Sequence, residues 1–91
     1  MSMTVVLLKT DEERIVQVLE ETGDKLDGVE DEVVLDFTSV RRIGSSAIRG
    51  MEDFASTAEH KGVRVVLCGV SVGIYKVLKL VNLSARFSFV N

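Results

Sequence analysis

Proline is absent from the 91 residues, and cysteine and histidine occur once each. Each scarcity closes off something. With no proline, no low-complexity stretch and no internal repeat, there is no sign of a linker, and residues 1–91 are expected to form a single domain. One cysteine, Cys68, cannot close an internal disulfide, which fits a reducing compartment. His60 and Cys68 alone cannot assemble a His/Cys metal cluster, so no metal is expected. The longest apolar runs are a few residues, far short of the ~20 that span a bilayer. The N-terminus has one early lysine and no apolar signal core. The expectation is a cytoplasmic protein without membrane insertion.

Basic excess is missing too. The net charge is −3 and the pI about 5.1. A nucleic-acid binder carries a basic surplus and a basic stripe, and Arg41-Arg42 is too short to make one. The acidic balance also argues against anionic membranes.

What is present is a core. Hydrophobic residues make up 46% and charged residues 27%, with a mean hydropathy of +0.25, so disorder is excluded. A chain of this size buries roughly 60–70% of its unfolded surface, enough to fold without staples.

Thr4–Leu8 is a short β-branched run suited to a buried strand. Thr10 followed by Glu13 forms a capping box, and Asp11, Glu12 and Glu13 favour the positive end of a helix dipole. Ile15, Val18, Leu19 and Leu26 follow at helical spacing. Gly23 weakens this helix by about 1 kcal/mol relative to Ala, so it ends there or runs to about Asp27. Within Asp31–Val40, Val33, Val34, Leu35 and Phe37 make a second buried strand, and Thr38-Ser39 begin its exit. Ala47, Ile48, Met51, Phe54, Ala55 and Ala58 mark one face of a second helix, which Gly62 stops. Val63–Val70 is the third strand. Ser71 caps a third helix with a stripe of Ile74, Val77, Leu78 and Val81, while Lys76 and Lys79 stay solvated. Asn82 is a left-handed cap, Leu83 packs back beneath the helix, and Arg86–Val90 is a fourth strand. The order is β-α-β-α-β-α-β. It implies an α/β fold with a mostly parallel four-stranded sheet packed by three helices.

Few residues suggest chemistry. His60 reads as a surface residue complementing a helix C-terminus, which leaves no Ser/His/Asp arrangement. Cys68, inside an apolar strand, reads as a small core residue. Gly69-Val-Ser-Val-Gly73 has neither the lysine and length of a P-loop nor the three-glycine dinucleotide fingerprint, and reads as a tight turn. Gly44-Ser45-Ser46 is the better candidate. It stands at the C-terminal end of a strand and the start of a helix, where function collects in α/β sheets. One of the two serines is read as the cap, worth about 1 kcal/mol, which leaves the other hydroxyl free. A phosphate there would face helix N–H groups, with Arg41 or Arg42 near enough to pair.

Val33-Val34-Leu35-Asp36-Phe37-Thr38-Ser39-Val40 followed by Ile43-Gly44-Ser45-Ser46-Ala47 resembles the core motif of STAS domains of the anti-sigma factor antagonist type. That family runs a V-V-L-D-L-S strand into a D-S-S-G-L-G helix start. Lys61-Gly62-Val63, Val65–Ser71 and Val77–Leu83 resemble its later turn, strand and helix, so the likeness runs from about Glu32 to Val90. Gly44 stands where the motif has Asp, Ala47 where it has Gly, and Ile48-Arg49 where it has Leu-Gly. The family's first strand is shortened here and its last helix missing. The resemblance implies a non-enzymatic regulator of transcription that binds an anti-sigma factor, a serine kinase, and is released when phosphorylated at Ser45, which leaves Ser46 as the expected cap. Arg42, Gly44, Ser45, Ser46 and Arg49 are the expected partner-binding residues. The kinase supplies the ATP, so no cofactor is implied, and a monomer or weak dimer is expected. The alternative is a non-phosphorylated STAS adaptor docking a transporter ATPase or a signalling scaffold.

Overall fold

The computed structural model describes residues 3–7, 12–25 and 32–90. Four strands and three helices alternate: β1 (Met3–Leu7), α1 (Glu12–Lys25), β2 (Glu32–Asp36), α2 (Ser45–His60), β3 (Arg64–Cys68), α3 (Val72–Leu80) and β4 (Ser88–Val90). One 3₁₀ turn, Ser84–Arg86, precedes β4. The strands lie in chain order and all neighbours are parallel. The expected α/β architecture, with a parallel sheet and three helices, is what the chain adopts. The capping box at Thr10, and Leu8 and Leu26, lie outside the described residues.

Strand parity decides which residues enter the core. Val33 and Leu35 of β2 pair with Val65 and Leu67 of β3, and all four are buried. They meet Ile15 and Leu19 of α1, Met51, Phe54 and Ala55 of α2, and Ile74 and Leu78 of α3 in one cluster. The three helices therefore share one face of the sheet. Steps in one direction, each by a right-handed crossover, produce that arrangement. The alternate residues Val34, Asp36 and Cys68 point to the opposite face and are half-buried.

That parity corrects the reading of Cys68. Its neighbours Val65, Val66 and Leu67 are buried, but Cys68 itself is only half-buried. It lies opposite the main core because it is one residue out of phase with Leu67. A second correction falls on Arg86. It belongs to the 3₁₀ turn rather than the last strand, because its guanidinium is drawn back to α2. Nε and Nη2 donate to Glu59 at 3.0 and 2.8 Å, and Nη2 also donates to Ser56 Oγ at 3.0 Å.

Two helix ends follow the same rule. After α2, Gly62 has φ +70°; its N–H donates to the Glu59 carbonyl at 3.2 Å and the Val63 N–H to Ala58 at 2.9 Å. After α3, Asn82 has φ 63°; its N–H donates to Lys79 at 3.2 Å and the Leu83 N–H to Leu78 at 2.8 Å. Both are Schellman closures with a buried apolar residue after the left-handed one. Leu83 packs beneath the helix as expected.

Gly69 is also left-handed, at φ +68°, but it is crowded. A Cβ there would collide with the Thr38 hydroxyl and lie 3.0 Å from the Thr38 backbone nitrogen, whereas one on Gly62 would meet nothing within 4 Å. Gly62→Ala is therefore expected to cost about 1–2 kcal/mol, the left-handed backbone alone. Gly69→Ala adds about 1–3 kcal/mol of overpacking. Urea denaturation of the two variants measures the gap; equal losses would show that the Thr38 contact is unimportant.

Candidate functional site

The site is built on the end of β2. Asp36 Oδ1 accepts the Thr38 backbone N–H at 2.9 Å and, more tightly, the Thr38 hydroxyl. The Val40 N–H donates to the Phe37 carbonyl at 2.8 Å, and the Phe37 N–H donates to the Cys68 carbonyl at 2.8 Å. Phe37 and Val40 are buried on either side of this turn. Residues 41–44 are thus delivered from a pinned turn to the C-terminal edge of the sheet.

There α2 begins. Gly44 is its N-cap, with φ −103° and ψ −172°, and its carbonyl accepts the Ile48 N–H at 3.0 Å. A glycine cap offers no side-chain oxygen, and neither Ser45 nor Ser46 has a hydroxyl partner among the described residues. The expectation that Ser46 caps the helix is thus overturned. The helix begins at Ser45 itself, so both serines sit inside the first turn, pointing outward and exposed. Glycine is accepted at an N-cap because it enters the extended region without strain. The backbone N–H groups of Ser45 and Ser46 have no carbonyl one turn earlier, and no acidic side chain occupies the first turn.

Ser45, Ser46 and Arg49 line one groove of about 680 Å³ between α1 and α2, together with Glu20 and Asp24 of α1 and with Asp53 further along α2. Arg49 is four residues beyond Ser45, on the same side of the helix. Gly50 lets the helices approach: a Cβ there would be 3.4 Å from Leu19 Cδ1. At the far end Lys61 Nζ donates to the Gly23 carbonyl at 3.2 Å. Arg41 and Arg42 are exposed in the preceding loop and do not line this groove. Of the residues singled out in the sequence, Ser45, Ser46 and Arg49 are brought together; Gly44 closes the helix above them and Arg42 stands apart. Ser71, by contrast, does cap its helix, accepting the Ile74 N–H at 3.2 Å. That occupies a donor a phosphate would need at the Gly69–Gly73 loop.

Asp36 was not singled out, although it stands in the strand motif. The Thr38 hydroxyl, then the Thr38 backbone N–H, hold its carboxyl below the ordinary value of 3.8, with a smaller contribution from the Cys68 thiol. Burial, then the charge of Asp36, pushes the Cys68 thiol up from 9.0, so Cys68 is neutral at neutral pH.

These features define a small α/β domain with an open, serine-bearing helix start at the carboxyl edge of its sheet. The sequence matches the STAS domain family over residues 8–91, and the chain belongs to that family. No curated protein sequence matches it significantly. Solved structures share the fold at low identity. A sulfate transporter family protein of Wolinella succinogenes superposes with a TM-score of 0.83 at 17% identity, over 96% of this chain and 75% of that one. A candidate anti-sigma factor antagonist of Thermotoga maritima gives 0.77 at 18%, over 96% and 79%. An anti-sigma-factor antagonist (STAS) domain protein of Planctomyces limnophilus gives 0.76 at 18%, over 93% and 79%.

A lowered carboxyl pKa means that the folded state holds fewer protons than the unfolded one. The Asp36 contribution is therefore fully present above about pH 4 and lost as pH falls through its depressed value. Glu59, lowered first by its hydrogen bond to Arg86, acts in the same sense. Asp36→Asn keeps an acceptor for Thr38 but removes the titration. Its urea midpoint should fall less than that of the native chain on acidification from about pH 5 to pH 3. Parallel declines would remove Asp36 from the acid response.

Proposed function

We propose that this chain is an anti-sigma factor antagonist: it docks an anti-sigma factor serine kinase through the Ser45 helix start and is released when Ser45 is phosphorylated. The observation that carries the reading is the bare cap. With Gly44 in the N-cap, the Ser45 hydroxyl makes no hydrogen bond among the described residues and is exposed. A phosphate on it adds about −1.5 to −2 charges at the positive end of α2, with Arg49 one turn away. The fold accepts that charge, while a surface shaped for the neutral serine does not. The chain acts by contact and catalyses nothing; the ATP is the kinase's. As a cytoplasmic regulator of transcription it touches no DNA itself.

A second reading is a constitutive STAS adaptor for a transporter ATPase or signalling scaffold. Gly44 and Ala47, where the motif has Asp and Gly, favour it, and so does the likeness in fold to the sulfate transporter family protein. Capture of an ABC-type ATPase in place of a kinase would decide for it.

The phosphorylation reading is tested with the cognate kinase, ATP and mass spectrometry. Modification should map to Ser45 and vanish in Ser45→Ala; an unmodified Ser45 beside a phosphorylated control substrate defeats the idea. Ser45→Asp should weaken kinase binding while raising the stability of the chain by about 0.3–1 kcal/mol, because α2 gains an anion in its first turn. Equal kinase binding by both forms would rule out an electrostatic release.

A further inference from the structure

The net charge of −3 conceals a segregation. All 14 acidic residues lie at or before Glu59, and beyond it the chain carries Lys61, Arg64, Lys76, Lys79 and Arg86 with no Asp or Glu. Arg86 is engaged by Glu59 and Ser56, and Lys61 by the Gly23 carbonyl. Lys76 and Lys79 are different. Both are exposed on α3, and neither forms an ion pair among the described residues.

The apolar residues of α3 are distributed as oddly as its charges. Ile74 and Leu78 fill the core, yet on the other side Val72 is 71% exposed, Leu80 82% and Tyr75 41%. Val72, Lys76 and Leu80 succeed each other four residues apart, and Tyr75 and Lys79 form the adjoining row. Such rows are the ridges by which helices pack on one another. The Tyr75 ring is held edge-on to Phe89 of β4, with centroids 5.1 Å apart and planes at 80°. A helix apolar on both sides is built for two partners, and the sheet supplies only one.

Charge and apolar content together select the second. Another copy of α3 would oppose lysine to lysine. The acidic α1 of a second copy exposes Arg14, Gln17, Glu20, Glu21 and Asp24, with nothing apolar to cover Val72 or Leu80. Two lysines set between apolar side chains also fall short of the roughly 4–8 basic residues that anionic lipid recognition draws on. We propose that the outer face of α3 docks an amphipathic helix of a partner protein whose apolar residues are flanked by carboxylates. Its apolar residues would meet Val72, Tyr75 and Leu80, and its carboxylates the Lys76 and Lys79 set among them. This surface is separate from Ser45.

The test uses the full chain and a fluorescein-labelled synthetic helix with leucine on one face and glutamate beside it. Anisotropy should show saturable, salt-sensitive binding. Leu80→Ser should weaken it about tenfold, and Lys76→Glu with Lys79→Glu should abolish it. Ser45→Asp should leave it unchanged, which separates this surface from the kinase reading. All these positions are exposed, so thermal melting should show a cooperatively folded chain in each variant. The proposal fails if the peptide does not bind, if a lysine-for-glutamate peptide binds as well, or if binding survives both α3 changes. It also fails if phosphatidylglycerol vesicles capture the chain where the peptide does not. Sedimentation showing a dimer that Leu80→Ser dissolves would assign the face to a second copy instead.

Discussion

A parallel strand can follow another only if the chain crosses back over the sheet, and here every crossing moves one strand in the same direction. With a fixed hand of crossover, all the helices must fall on one face. The arrangement of everything else descends from this constraint. It puts the start of α2 and the start of α3 at the carboxyl edge, above β2 and β3. It places α2 between two neighbours and leaves α3 at the end of the row, above an edge strand. The same geometry therefore yields a serine site set in a groove and a helix with one covered and one open side.

The two loops at that edge are not independent. Asp36 grips Thr38, and Thr38 fills the space that a side chain on Gly69 would need. The loop carrying Gly44 and the loop carrying Ser71 thus lean on one another through a single threonine. The ion pair of Arg86 with Glu59 makes a comparable tie at the opposite end of α2. Exposed pairs contribute little to stability, but this one sets where the 3₁₀ turn lies, and through it how β4 joins the sheet.

Much of this was legible in the sequence. The strands and helices show in the switch between short β-branched runs and helical periodicity. Gly62, Ser71 and Asn82 act as the stops and caps that their side chains favour. The family also shows in the strand leading to Gly44-Ser45-Ser46. What was hidden has identifiable causes. Val65 to Cys68 is apolar throughout, so nothing in the run reveals which residues face the helices, and Cys68 reads there as a core residue although it is half-buried on the other face. Cap preference distinguishes serine from alanine strongly and from glycine weakly, so it could not decide between Gly44 and Ser46. The location of Arg86 depends on a residue 27 positions away, beyond any local pattern.

The cap carries more than a boundary correction. Had Ser46 closed the helix, its hydroxyl would accept a backbone N–H, and any modification there would cost the helix a bond. With glycine in that place, neither serine hydroxyl is used to hold the helix start, and both are left to the surface. The departure of Gly44 from the family motif thus acts in two directions. It removes a carboxylate that would have stood beside an incoming phosphate, and so lowers the electrostatic cost of adding one. It also removes an acidic group through which a partner or kinase could recognise the site. Between those effects the local balance is set by Arg49 against Glu20, Asp24 and Asp53, which line the same groove, since Arg41 and Arg42 lie outside it. Within the helix itself, a free serine hydroxyl, a cation one turn along and no acid in the first turn favour added negative charge, while the carboxylates that share the groove oppose it.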